Sequence, residues 1–230
     1  MTHNCYVSFC PTAKACEILE PRWTLLVLCE MFSGSTHFND IRRGVPAMSP
    51  TLLSKRMKQL EGHGLLNRIP DKMRGGCTYH LTSIARELEP IIDKLGDWAH
   101  QNIEADVKLE RLNAGVLMWN MRRKVNTAVL PQNRRCVIQI IFPDLPLAER
   151  NYWLISRPGH AVDMCMIDPG HDVELYITAD LRALTSAWMG LSTLQAEINS
   201  GKIELVGNEA LINSIGDWMV RSRFATLAAA

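Results

Sequence analysis

The sequence predicts an α+β protein in two parts. The first is helical and closes on a two-stranded ribbon; the second is an α+β domain with an antiparallel-rich sheet. Three observations predict this. Helix-start signals and 3.6-residue periodicity dominate the first hundred or so residues. Apolar alternation of period two, broken by turn signals, begins after Pro131. The charges divide at nearly the same place: residues 37–80 hold eight Lys/Arg against three Asp/Glu, whereas residues 106–230 hold thirteen of each. One short region is therefore basic, and that is where an anionic partner would dock.

Composition narrows the class. With 230 residues, 47% hydrophobic and 21% charged, the chain has enough apolar material to fill a core and too much to stay disordered. A net charge of +1 means that an anionic partner must be met by a local patch rather than a global field. The longest apolar run, 23–32, is interrupted by Glu30 and falls short of the roughly 20 residues a membrane span needs. No basic stretch followed by a long apolar run opens the chain, so no secretion signal is expected. Seven cysteines without a CxxC pair support neither a disulfide framework nor a structural zinc site. The expectation is a soluble, cytoplasmic protein with no metal and no cofactor.

The elements follow in order. Residues 13–19 and 23–31 read as helices separated by Pro21, and 38–44 as a short helix ended by Gly44. Ser49-Pro50 starts the next helix, because serine is a favoured N-cap and proline is tolerated at the first helical position. It runs to Glu61 and stops at Gly62-His63-Gly64. Residues 65–69 read as a strand, 70–76 as a charged, glycine-ended turn and 77–81 as the returning strand, after which Thr82 caps a longer helix through Trp98. Helix, turn, helix and then a ribbon is the order of a winged helix.

The helix from Ser49 can be projected residue by residue. At 100° per residue Leu53, Met57 and Leu60 share one stripe and face the core. The opposite side carries Thr51, Lys55 and Lys58, flanked by Ser54 and Gln59. These side chains reach phosphates and base edges in a major groove, and the helix N-terminus adds its own affinity for phosphate. Arg42 and Arg43 on the preceding short helix, and Lys72 and Arg74 on the turn, extend the basic surface. A solvated amphipathic helix would have the same composition; its place between a short helix and a basic hairpin favours DNA.

Six segments carry a resemblance: Cys10-Pro11; Pro21 to Leu26; His37-Phe38-Asn39-Asp40-Ile41; Met48 to Arg56; Leu60 to Leu65; and Tyr79-His80-Leu81-Thr82. In order and spacing they resemble the HxlR-type winged helix-turn-helix transcription regulators over about the first hundred residues. The resemblance implies a homodimer on double-stranded operator DNA, with residues 49–61 as recognition helix and 70–77 as wing. Pro21 departs from the pattern, which usually has a small residue there.

Residues 106–125 read as a connecting helix. Beyond it, 136–142, 152–156, 162–167 and 172–178 read as strands of an antiparallel meander, separated by Pro143-Asp144, Arg157-Pro158-Gly159 and Asp168-Pro169-Gly170. Helices follow at 179–189 and 193–199, then a strand between Gly201 and Gly207, then a last amphipathic helix over 208–220. Thr178-Ala179-Asp180-Leu181, Trp188-Met189-Gly190 and Ile198 to Gly207 make residues 125–224 resemble the sterol-carrier-protein-2-like fold. That resemblance implies a sheet with helices on one face around an apolar cavity that takes a lipid-like small molecule. The expected division is 1–104 for DNA binding, 105–125 as linker or dimerisation helix, and 126–230 for ligand binding or dimerisation. Candidate ligand contacts are Trp153, Met164, Met166, Leu184, Trp188, Met189, Leu191, Leu194, Leu211, Ile215 and Trp218; apolar residues at helical spacing are also ordinary core.

No GxSxG, HExxH, Walker A or GxGxxG stands in the chain, so an enzyme is not expected. His160 and His171 lie near Asp163, Asp168 and Asp172, at turn positions where solvated Asp and His are ordinary. Cys10 occupies the position where redox-sensing HxlR-type relatives keep a reactive thiol, with Lys14 and Arg22 as the cationic neighbours such a thiol needs. Two rival readings stay open: a thiol switch without a ligand, and a lipid-binding protein whose winged helix serves only protein contacts.

Overall fold

The computed structural model describes residues 6–72 and 75–226, with the backbone alone at residue 107. The chain divides into two compact units, Met1–Gly96 and Asp97–Ala230.

In the first unit α1 (Pro11–Leu19), α2 (Thr24–Phe32), α3 (Phe38–Gly44) and α4 (Pro50–Gly62) precede the hairpin of β1 (Leu66–Pro70) and β2 (Cys77–Leu81). Its core is the set that periodicity selects. Val27, Leu28 and Met31 of α2 meet Ile41 of α3 and Leu53, Met57 and Leu60 of α4, all 5% exposed or less. Burying each such side chain contributes about 1.5–3 kcal/mol. Residues 35–37 add a short third edge to the ribbon: Tyr79 N donates to Thr36 O at 2.8 Å, and His37 bridges to Thr78. Three residues are too few for a period-two pattern to register. Glu30, which interrupts the apolar run of α2, is itself buried and accepts from Ser35 Oγ at 2.6 Å. Its carboxylate lies over Gly44, where an added Cβ would sit 2.1 Å from Oε2.

The helix expected to start at Thr82 is two helices, α5 (Ser83–Arg86) and α6 (Glu89–Asn102). Pro90 has no N–H to donate to Arg86, so the ladder cannot run through; Leu88 N bonds Ala85 O instead.

The second unit begins inside α6 and continues through α7 (Ala105–Lys108) and α8 (Ala114–Lys124). A single connecting helix was expected over 106–125; the structure breaks it. Asn113 is an N-cap whose side chain accepts from Val116 N at 2.9 Å, which starts a new helix there. α8 is a core element, with Ala114, Leu117, Met118, Trp119 and Met121 buried in the main cluster of this unit.

The sheet contains β3 (Cys136–Ile141), β4 (Asn151–Ser156) after the short α9 (Leu147–Arg150), β5 (Asp163–Cys165), β6 (Leu175–Ala179) and β7 (Ile203–Gly207), in the order β5-β4-β3-β6-β7. β3, β4 and β5 form the expected meander. β6 does not continue it: the chain crosses back and pairs β6 parallel to β3, with β7 antiparallel beyond. Strand alternation carries no information about neighbours, so the meander was the simplest order but not the actual one. β3 and β4 are buried on nearly every residue, as strands with neighbours on both edges and apolar packing on both faces should be.

α10 (Leu181–Met189), α11 (Leu194–Asn199), α12 (Glu209–Asn213) and α13 (Ile215–Trp218) complete the unit. The main core joins alternate residues of β3, β4 and β6 to α8, α10, α12 and α13; Val137, Trp153 and Ile155 form a smaller cluster of the residues that alternate with them. The single last helix expected over 208–220 is split at Ser214, whose hydroxyl bonds back to Ala210 O at 2.7 Å.

His100 is 7% exposed, stacked on Phe224 at 5.4 Å, and its Nδ1 has no hydrogen-bond partner among the described residues. Burial, and then the nearby Lys108 charge, hold this imidazole below its ordinary value of 6.5, against a weaker opposing pull from Asp97. The folded state therefore binds fewer protons than the unfolded state below about pH 6.5. Stability is full above that pH and falls as the pH drops toward the folded value. We expect urea unfolding midpoints to decline between pH 7.5 and 5, and His100→Phe to remove part of that decline; an unchanged profile in the variant would contradict it.

Candidate nucleic-acid interface

The basic surface is built on α4. Ser49 takes an extended conformation at the N-cap, and its Oγ accepts from Leu52 N at 3.2 Å. This hydroxyl oxygen, expected on the DNA face, is thus engaged in capping the start of the helix. Once Leu53, Met57 and Leu60 are buried, Thr51, Ser54, Lys55, Lys58 and Gln59 are all exposed. Among the described residues Lys55 and Lys58 have no ion-pair partner, so the face presents two uncompensated cations along the middle of α4.

Arg56, one of the eight cations of the basic region, does not belong to this face. It is 8% exposed and donates to Gln59 Oε1 and, at 3.0 Å, to Arg22 O. Burial lowers its pKa. The bond to Arg22 ties α4 to the turn before α2, where Trp23 takes a φ of 80°, a left-handed conformation costly for a bulky residue. Arg56 is therefore a positioning residue. Sequence periodicity could not find it, because its partner lies in another helix–helix turn.

Arg42 and Arg43 are exposed at the end of α3, and Arg43 pairs with Asp40 at 3.4 Å. The hairpin turn is held by Asp71 N to Gly76 O at 3.1 Å and Gly75 N to Asp71 O at 3.0 Å. Lys72 is exposed on it, while Arg74 lies outside the described residues. His37 sits 3.9 Å from Asp40 and 3.8 Å from Asp71, which links α3 to the turn.

Cys10 is the N-cap of α1 and exposed. Its thiol lies below the ordinary 9.0 because the backbone N–H groups of Ala13 and then Thr12, with the Thr12 hydroxyl, stabilise the thiolate. The cause is a helix N-terminus and not the cations expected to supply it; Lys14 is paired with Glu17 at 2.9 Å. Cys136 is buried, and its thiol is pushed up to about 12 by desolvation first.

In the second unit Leu184, Trp188 and Leu194 come together at a cavity of about 280 Å³, with Ala187, Thr193, Gly216, Met219 and Arg221. Sequence reading missed these five because they are small or polar, or lie between elements. The other apolar candidates are elsewhere. Trp153 packs with Val137 and Ile155 in the smaller cluster, and Met166 is 47% exposed. Met164, Leu211, Ile215 and Trp218 are main-core residues, Trp218 donating its indole N–H to Leu211 O at 2.9 Å. Met189 and Leu191 are half-buried and do not line the cavity. Among the described residues no His, Cys, Asp and Glu cluster could hold a metal ion, and no helix is long and apolar enough to cross a membrane.

Residues 18–107 match the HxlR-like helix-turn-helix family model, which leaves residues 108–230 outside it. An uncharacterised HTH-type transcriptional regulator of Synechocystis is 35% identical over 101 residues, covering 40% of this chain and 72% of the relative. The uncharacterised HTH-type transcriptional regulator YvaP of Bacillus subtilis is 35% identical over 98 residues, covering 41% and 90%. Among solved structures, the reduced form of the transcriptional regulator YodB from B. subtilis is 26% identical, with a TM-score of 0.37, and covers 42% of this chain and 97% of its own. The family model and the two regulators at 35% identity show that the chain belongs to the HxlR-like helix-turn-helix family of transcriptional regulators.

Proposed function

We propose that the protein is a homodimeric, operator-binding regulator whose DNA affinity is modulated by an apolar or amphipathic ligand in its second unit. α4 lies in the major groove, and the turn at 70–77 rests on adjacent backbone or minor groove. The observation that carries this reading is the exposed face of Thr51, Ser54, Lys55, Lys58 and Gln59, whose lysines have no ion-pair partner among the described residues. A module used only for protein contacts has no need of such a face. In this reading residues 1–104 bind DNA and 126–230 bind the ligand, while of the stretch 105–125 expected to join them α8 packs into the core of the second unit.

A dimer is supported by an apolar stripe. Ile91, Leu95 and Trp98 follow one another along α6 at spacings of four and three, and each is at least 50% exposed, as is Ile84 on α5. Scattered apolar residues on a surface are ordinary, but a seam at helical spacing is the pattern of a helix–helix interface. α1 has no buried residue, and Phe9 just before it is fully exposed. The ligand part of the reading is supported by the cavity beside α10 and by a helix-covered sheet like that of the sterol-carrier-protein-2-like fold. A ligand changes operator affinity only as far as it binds one dimer geometry better than another.

A second reading is favoured by one observation, the depressed thiol of Cys10 at the start of α1. Oxidation there would alter the start of α1, next to the fully exposed Phe9. Loss of DNA binding on oxidation in the parent chain but not in Cys10→Ser would select it.

Fluorescence anisotropy with duplex DNA at several salt concentrations tests the main reading. Lys72→Ala should weaken all sequences alike and flatten the slope of log K against log salt by about one. Lys55→Ala should weaken binding and also alter sequence preference. If neither substitution matters, the placement of α4 and the turn on DNA is wrong.

A further inference from the structure

The cavity of the second unit has a chemical character that an apolar-pocket reading does not include. Leu184, Ala187, Trp188, Leu194 and Met219 make apolar walls, and Arg221 is the one ionisable group among the described residues lining it. Arg221 and Thr193 are both exposed and stand at its mouth. Arg221 has no ion-pair partner among the described residues. Thr193 Oγ1 accepts from Ala196 N at 3.1 Å, and the hydroxyl still has its own proton to donate.

The segment bearing Arg221 is fixed. Trp188 Nε1 donates to Val220 O at 3.2 Å, and Ser222 N donates to Trp188 O at 2.9 Å. The two residues flanking Arg221 are thus bonded to the tryptophan that forms one wall. The backbone that carries Arg221 is thus anchored at the rim, which keeps its guanidinium within reach of the cavity mouth. Gly216 points the same way. It lies inside α13 with an ordinary helical backbone, where glycine costs up to about 1 kcal/mol against alanine, and an added Cβ would meet nothing within 4 Å. Neither backbone nor packing demands glycine there; its effect is to leave the cavity wide.

We propose that this cavity binds an apolar molecule carrying a single anionic head, its chain between Leu184, Trp188, Leu194 and Met219 and its head on Arg221. As the source of that chemistry we take a straight-chain carboxylate. The inference deepens the ligand part of the proposed function and rests on it.

The test uses the full chain and calorimetric titration with straight-chain carboxylates from hexanoate to dodecanoate, each against the alcohol of equal length. Affinity for the carboxylates should rise about fourfold per methylene until the cavity is full. Alcohols should bind at least about tenfold more weakly. Arg221→Gln should bring carboxylates down to the level of alcohols, and Gly216→Leu should abolish both. Equal binding of acids and alcohols, or unchanged carboxylate affinity in Arg221→Gln, would overturn the proposal. So would unchanged affinity in Gly216→Leu. The same samples are titrated against duplex DNA. No binding of any carboxylate with DNA binding intact overturns the cavity's assignment and leaves the DNA reading standing. Carboxylate binding with these dependences supports the assignment even where DNA affinity does not change, an outcome that overturns only the effector role.

Discussion

Lys55→Glu with Lys58→Glu is expected to reduce affinity for duplex DNA by about 100-fold or more without unfolding the protein. Both lysines are exposed on α4 and have no ion-pair partner among the described residues, so reversing them breaks no native contact. Surface changes of this kind usually alter stability by no more than about 0.5 kcal/mol. On DNA the effect is different in size. Two charge-assisted contacts at about 1.5–3 kcal/mol each are lost, and tenfold in affinity is about 1.4 kcal/mol. Two phosphate charges also go uncompensated, so the salt slope should fall by about two. Circular dichroism checks the fold and anisotropy checks the binding. A doubly reversed protein that binds as before, with its salt slope unchanged, would remove α4 from the interface.

The face that makes this prediction possible was legible in the sequence, and for a physical reason. A helix that must bury one stripe exposes the other, so placing Leu53, Met57 and Leu60 inward puts Lys55 and Lys58 outward. Local rules also found the Ser49 cap and the hairpin of β1 and β2, because caps and short turns are set by neighbours in the chain. What they missed depends on contacts between distant segments. Arg56 counts as one more cation until the turn at Pro21–Trp23 is packed against it and takes its hydrogen bond. The parallel pairing of β6 with β3 is likewise invisible to alternation, which records which face a residue takes but not which strand lies beside it. The cavity shows the same limit. Leu184, Trp188 and Leu194 stood out as apolar, whereas Gly216 and Arg221 acquire meaning only from what surrounds them.

Glycines at the two ends of β7 show how far apart two similar sequence signals can be in consequence. Gly201 and Gly207 both bound the strand and both have positive φ, 73° and 140°. A Cβ at Gly201 would meet nothing within 4 Å, so Gly201→Ala should cost only the left-handed conformation, about 1–2 kcal/mol. At Gly207 a Cβ would lie 2.3 Å from Glu174 O and 3.0 Å from Leu175 Cα, which are backbone atoms of the neighbouring strand and its approach. That carbonyl also accepts from Asn208 N at 2.8 Å, and Asn208 is the N-cap of α12. Gly207→Ala must therefore either part β6 from β7 or give up the bond that turns the chain into α12. We expect a loss of about 3–5 kcal/mol, the strained backbone and the clash together. Urea unfolding of both variants separates the two cases. If Gly207→Ala proved as mild as Gly201→Ala, the register that pairs Leu175 with Gly207 would be wrong. With it would fall the approach of α12 to the sheet, and Leu211 and Trp218, joined by one hydrogen bond in the core, would need another explanation for their burial.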